Sequence, residues 1–175
     1  MFTSGNLSGD FTAKIYDHVL SLSCSHIVES DEQLIPTGTL LPVAETLFDF
    51  RSLQHTRGRK LRESVLSVDG GGAKGIDHCF VIDNADSDNL KLIHAATLTD
   101  EVSGRQMILS TTQPGVQIYT ANFLPSDESK YSQHNAICLE TQHFPDAINR
   151  PEFASVVLRA GDCYEQQATF QFRVA

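Results

Sequence analysis

The chain is predicted to be all-β, built from antiparallel strands, and two observations predict it. Along 164–174, Tyr164, Gln166, Ala168, Phe170, Phe172 and Val174 alternate with Glu165, Gln167, Thr169, Gln171 and Arg173. A period of two with one mostly apolar face is the pattern of a half-buried strand. In addition, no stretch longer than about ten residues shows an apolar stripe at helical spacing. Repeated antiparallel strands with short turns fit a sandwich or a barrel.

The other elements follow in order. Segment 18–24 alternates Leu20, Leu22 and Cys24 with Val19, Ser21 and Ser23. Segments 76–82, 90–98, 106–111, 116–119 and 136–141 are further β-rich runs. Gly, Pro, Asn and Asp clusters separate them, because those residues favour turns. Pro36-Thr37-Gly38, Pro114-Gly115 and Asn149-Arg150-Pro151 read as loops. Segment 155–158 is predicted to pair with the last strand across a turn at Arg159-Ala160-Gly161-Asp162. There is no internal repeat and no interdomain linker.

Composition narrows the class. A chain of 175 residues that is 41% hydrophobic suits one domain or a large piece of one. A formal net charge of -9 argues against nucleic acid as a partner. No apolar run approaches a membrane span. The first residues have neither the basic nor the apolar region of a secretory signal, so a cytoplasmic location is expected. The glycosylation pattern at Asn6-Leu7-Ser8 carries little weight without a secretory route. The four cysteines, Cys24, Cys79, Cys138 and Cys163, lie far apart, and the seven histidines have no metal-ligand spacing. No metal or cofactor is expected, and the cysteines read as free thiols.

Gly70, Gly72 and Gly75 form a G-x-G-x-x-G pattern. A phosphate cradle needs a helix directly after those glycines. Residues 76–82 read as strand instead, so the run is taken as a surface loop.

Several segments together resemble the aldose 1-epimerase (galactose mutarotase) family. Leu34-Ile35-Pro36-Thr37-Gly38 is similar to its I-P-T-G turn, and Phe48-Asp49-Phe50-Arg51 to its F-D-F/L-R stretch. Gly75-Ile76-Asp77-His78-Cys79-Phe80 resembles its G-x-D-H-x-F segment. TTQPGVQIYTANFL at 111–124 and ICLETQHFPDAIN at 137–149 resemble T-T-x-P-x-x-Q-x-Y-T-G-N-F and C-L-E-T-Q-x-x-P-D-A-x-N. Leu158-Arg159-Ala160-Gly161-Asp162-Cys163-Tyr164 is similar to L-R-P-G-E-x-Y. The segments occur in the family's order over nearly the whole chain.

The resemblance implies a large antiparallel β-sandwich of the galactose mutarotase-like type. Residues 1–175 would be the C-terminal part of a single such domain. It implies exchange of the α and β anomers of free aldoses such as galactose and glucose, without a cofactor. A free aldose would be the partner; oligomeric state is not legible.

It also assigns residues. Glu140 matches the catalytic base, Asp77 a ligand of sugar hydroxyls, and Gln117 a glutamine near the sugar. The chemistry suits them. Ring opening needs one group to take the C1 hydroxyl proton and another to protonate the ring oxygen. Alternation predicts Glu140 on one strand face with Ala136, Cys138 and Gln142, and Ile137, Leu139 and Thr141 on the other. A carboxylate accepts charge-assisted hydrogen bonds from neighbouring hydroxyls, and an amide both donates and accepts. Each has a plainer alternative: a surface strand glutamate, an aspartate at a strand entry, an ordinary amide beside Tyr119. Asp146 is read as a loop cap.

The family's general acid, a histidine, would fall at Phe2, and its two aromatic positions at Ser4 and Gly5, so the resemblance fails over the first five residues. The missing N-terminal half would supply further sugar ligands. Half a sandwich should leave strand edges and an apolar face uncovered. His78 and His143 are the histidines nearest the motifs. A non-catalytic sugar-binding or interaction module is the alternative function.

Overall fold

The computed structural model describes residues 2–10, 12–51, 59–68, 72–85, 90–126 and 131–174, with 2–4, 59 and 60 described through their backbone. The strands are β1 Phe2–Gly5, β2 His18–Leu22, β3 Cys24–Ser30, β4 Pro36–Pro42, β5 Asp77–Ile82, β6 Ile93–Asp100, β7 Arg105–Thr111, β8 Gly115–Tyr119, β9 Ile137–Gln142 and β10 Ala168–Val174. One helix, α1 Arg59–Ser67, and the 3-10 turns Ile15–Asp17 and Ala147–Asn149 complete the described elements.

The strands form two antiparallel sheets. The larger runs β1-β9-β8-β5-β3-β4 and the smaller β10-β7-β6-β2. The main core lies between them. Ile27, Phe80, Ile82, Val116, Ile118, Ile137 and Leu139 come from the larger sheet, and Leu20, Leu22, Leu98, Met107 and Leu109 from the smaller. Packed sheets that bury facing residues make a sandwich.

The period of two explains which face each residue takes. On β9, Ile137, Leu139 and Thr141 are buried while Cys138, Glu140 and Gln142 are partly exposed, as the alternation predicts. The outward face of the larger sheet therefore carries Glu140.

Four expectations need correcting. Segment 18–24 is not one strand: it breaks at Ser23, which passes the chain between sheets. The Ser23 amide donates to Ala95 O on β6, and its carbonyl accepts from Asp83 N just after β5. Pro36-Thr37-Gly38 is the start of β4 rather than a loop; β4 is an edge strand, where proline is tolerated at the first position. The run at 90–98 enters its strand only at Ile93.

The largest miss is the last hairpin. The turn exists, with Asp162 N donating to Arg159 O, but 155–158 forms no strand and the last strand starts at Ala168 rather than Tyr164. β10 instead pairs with β7 from Ala168 opposite Thr111 to Val174 opposite Arg105. The open edge of β7 offers seven paired positions, more than a short hairpin could.

Helix α1 went unannounced because it is nine residues long. It packs Leu61 and Val65, four apart, into the core. The Ser64 hydroxyl donates to Leu47 O at 2.6 Å. No described helix is long and apolar enough to cross a membrane.

Candidate active site

Strand register assembles the site on the outward face of the larger sheet. Gln117 on β8 lies opposite Glu140 on β9 and opposite Cys79 on β5. Opposed residues of an antiparallel pair share a face. Asp77 is two residues before Cys79, so it stands on that face one step along. Gln117 Nε2 donates to Asp77 Oδ1 at 2.7 Å. Three residues from three strands, far apart in sequence, thus form one polar row.

Glu140 is half-buried, and among the described residues no hydrogen-bond donor reaches its carboxylate. Asp77 differs: burial pushes its carboxyl above the usual range, and the Gln117 amide partly offsets this. Beside Gln117 on the same face, the Cys79 thiol is pushed up to about 12 by burial, with Gln142 as its hydrogen-bond partner. A thiol held neutral there is a packing group, not a nucleophile.

Two structures that the motif reading missed hold the row. The first is a buried clasp. Ile76 N donates to Thr120 Oγ1 at 2.8 Å, Thr120 Oγ1 donates to Asn122 Oδ1 at 2.7 Å, and Asn122 Nδ2 donates to Ile76 O at 3.1 Å. It fixes the residue before Asp77. Gly75 makes room for it, since a Cβ there would sit 1.8 Å from Asn122 Oδ1. The glycine run is thus partly structural; Gly70 lies outside the described residues.

The second is the return of 144–153 over the same face. Phe144, Ala147 and Phe153 form a small apolar cluster with Cys79, Val28 and Val81. A Cβ at Gly115 would meet Cys79 Sγ at 3.0 Å and Phe144 Cδ1 at 3.1 Å, so glycine permits the cover. Asp146, left-handed at φ 58, accepts from Asn149 Nδ2 at 2.6 Å and Arg150 Nε at 3.0 Å. Those donors hold its carboxyl below the usual range. Asp146 thus stands at the N-cap position of the 3-10 turn, but its carboxylate binds the side chains of Asn149 and Arg150 and makes no capping bond to a backbone amide, so the cap expected from the sequence is not formed by its side chain.

The two watched histidines stand elsewhere. His78 is opposite Ile118 of the core, on the inward face, with its ring 4.5 Å from Phe48. Burial pushes its pKa down to about 4. His143 lies beyond the end of β9 with its ring 6.1 Å from Tyr164. His143, with Pro114, Gln113 and 154–158, borders a separate concavity of about 780 Å³ past that end of the row. None of the four cysteines is in a disulfide, and Cys24 and Cys79 are buried.

At the N-terminus, β1 pairs with β9, and the register puts Phe2 opposite Glu140. Asn6 Nδ2 is taken up by Ala13 O and Asn135 O, both at 2.9 Å.

A two-sheet antiparallel sandwich with a carboxylate–amide row on its outward face defines a protein of the mutarotase-like β-sandwich class. The chain belongs to the aldose 1-epimerase family, whose model matches residues 6–171. It is 37% identical to galactose mutarotase of Homo sapiens over 97% of this chain and 48% of that protein. It is 31% identical to aldose 1-epimerase of Escherichia coli over 95% of this chain and 48% of that protein. The solved GalM/aldose epimerase homologue from C. elegans superposes with a TM-score of 0.78 at 28% identity, covering 97% of this chain and 49% of that one. The chain therefore spans about half the length of these relatives.

Proposed function

We propose that the chain supplies the base and the sugar-holding residues of an aldose 1-epimerase, a cytoplasmic enzyme that exchanges the α and β anomers of free hexoses such as galactose and glucose. The observation that carries this is the row itself: Glu140 opposite Gln117, and Gln117 bonded to Asp77.

In this reading Glu140 accepts the proton of the C1 hydroxyl while an acid protonates the ring oxygen. The C1–O5 bond breaks, the C1–C2 bond rotates, and the aldehyde is closed from its other face by the reverse transfers. No electrons change hands and no cofactor is required. Asp77 and Gln117 hold hydroxyls, so that C1 stays against Glu140 through the open-chain stage. In this reading the acid is not supplied by the motif position itself, since the family's acid histidine would fall at Phe2, and a phenylalanine side chain has no proton to transfer.

The test is Glu140→Gln in a chain fused to the N-terminal half of a mutarotase relative. Mutarotation followed by polarimetry should fall by a factor on the order of 10² or more. An unchanged rate would remove Glu140 from the mechanism. The second reading, a sugar-binding module without catalysis, rests on Phe2 and applies to the polypeptide 1–175 alone. It requires hexose binding without rate enhancement.

A further inference from the structure

The polar row is flanked by aromatic side chains on two sides, and the two sides differ. On one, Phe144 packs on Phe153 at 5.1 Å and covers Cys79. Its surface is used in packing. On the other, Tyr119 stands in register with Asp77 on β5 and with Cys138 on β9. Phe123 lies against Tyr119 with ring centroids 6.4 Å apart and planes within 16°. The Phe123 amide donates to the Tyr119 hydroxyl at 3.1 Å. Yet Phe123 is 56% exposed, where a ring of this size would ordinarily be buried.

The exposure is held in place. Ala121 is left-handed at φ 55 and turns the chain back. Asn122, the residue before Phe123, is only 2% exposed and is tied to the Ile76 carbonyl. Ile76 in turn precedes Asp77. Asp77 and Phe123 therefore extend from the same buried clasp, and their relative position is fixed by it.

A pyranose has two kinds of surface. Hydroxyls ring its edge, and C–H groups form apolar patches on its faces. Asp77, Gln117 and Glu140 offer partners for the edge and nothing for a face. The geometry points to Tyr119 and Phe123 as an aromatic platform that packs against the C–H face of the aldopyranose whose hydroxyls Asp77 and Gln117 hold. Such contact removes apolar area on both partners from water. It also limits tilting of the ring, which hydroxyl contacts along one edge leave free. This assignment rests on the sugar-binding reading above.

The chain has no tryptophan, so Phe123→Trp places its one indole on the platform, with emission excited selectively over that of the four tyrosines. Titration of the folded 1–175 chain with galactose and with glucose should change its emission saturably. In the unsubstituted chain, saturation of the aromatic protons should transfer to the C–H protons of the sugar. Phe123→Ala should weaken hexose binding about three- to tenfold with an unchanged melting curve, and Phe123→Leu should restore only part of it. If Phe123→Ala binds as tightly as the parent while Asp77→Ala loses binding, the platform is wrong and the sugar site stands. If the parent chain binds neither hexose, the platform and the sugar-site reading fall together.

Discussion

Asp77 is pulled two ways, by burial that disfavours its charge and by an amide that favours it. Burial is the larger influence, so the folded chain holds the proton more tightly than the unfolded one. The stabilisation from protonation is complete below the ordinary carboxyl value and is lost as pH rises through the raised folded value. At neutral pH an ionised Asp77 is a cost to the fold. Asp77→Asn keeps an acceptor for Gln117 and removes the charge. It should raise the melting temperature at pH 7, converge with the parent near pH 3, and weaken hexose binding; equal melting temperatures at both pH values would show that burial imposes no such cost. His78 runs the other way. Its folded pKa of about 4 lies below the ordinary 6.5, so the fold is most stable above 6.5 and weakens as pH falls towards 4. The ceiling of the effect is roughly 3 kcal/mol. His78→Phe, packed against Phe48, should flatten stability against pH across that window in urea titrations. A slope as steep as the parent's would assign the loss to other groups, such as the buried His18 and His134, whose values burial also lowers.

At the scale of elements, what was legible in the sequence was whatever alternation encodes. β9 is the clear case: its two faces follow from period alone, and Glu140 falls on the outward one. Gln117 and Asp77 could be named from motifs, but their hydrogen bond could not, because it depends on the register of β5 on β8. The hairpin at 155–158 failed because alternation says that a strand can form, not which open edge competes for its partner. Helix α1 is too short for a stripe to stand out. The clasp was invisible for another reason. Thr120 and Asn122 are polar and 0% and 2% exposed, and residues of that kind in a turn ordinarily read as surface. Gly75 carries the sharpest prediction here. Its φ is +135°, and an added Cβ would lie 1.8 Å from Asn122 Oδ1 and 2.8 Å from Thr120 Oγ1. Gly75→Ala must therefore break buried hydrogen bonds or strain the backbone. A loss of about 3 kcal/mol or more is expected in urea unfolding, with Asp77 displaced and hexose binding reduced. A fully stable variant would mean that the clasp can rearrange at no cost.

At the scale of the whole molecule, the described chain has open edges at β1 and β4 in one sheet and at β10 and β2 in the other. Apolar side chains lie bare beside one of them: Phe172 is 64% and Val174 78% exposed on β10. Relatives are about twice as long, and their remaining half has no counterpart in residues 1–175. This bears directly on activity. In the proposed reaction the ring oxygen gains a proton as the C1 hydroxyl loses one, and Glu140, as the proposed base, serves one side of that exchange. Phe2 holds the register position opposite Glu140 and has no proton to give. His78 cannot replace the acid, because it faces the core and is neutral at physiological pH. His143 lies past the end of β9 beside Tyr164, outside the row. Positioning and acid–base help are each worth several kcal/mol in typical enzymes, and under the proposed reading residues 1–175 supply only part of both. Purified, folded 1–175 should therefore mutarotate freshly dissolved α-galactose no faster than buffer, while still binding it. Polarimetry with Glu140→Gln as control decides the matter. A rate well above buffer that vanishes in the control would mean that another proton donor reaches the ring oxygen, and with His78 turned inward the search would begin at His143.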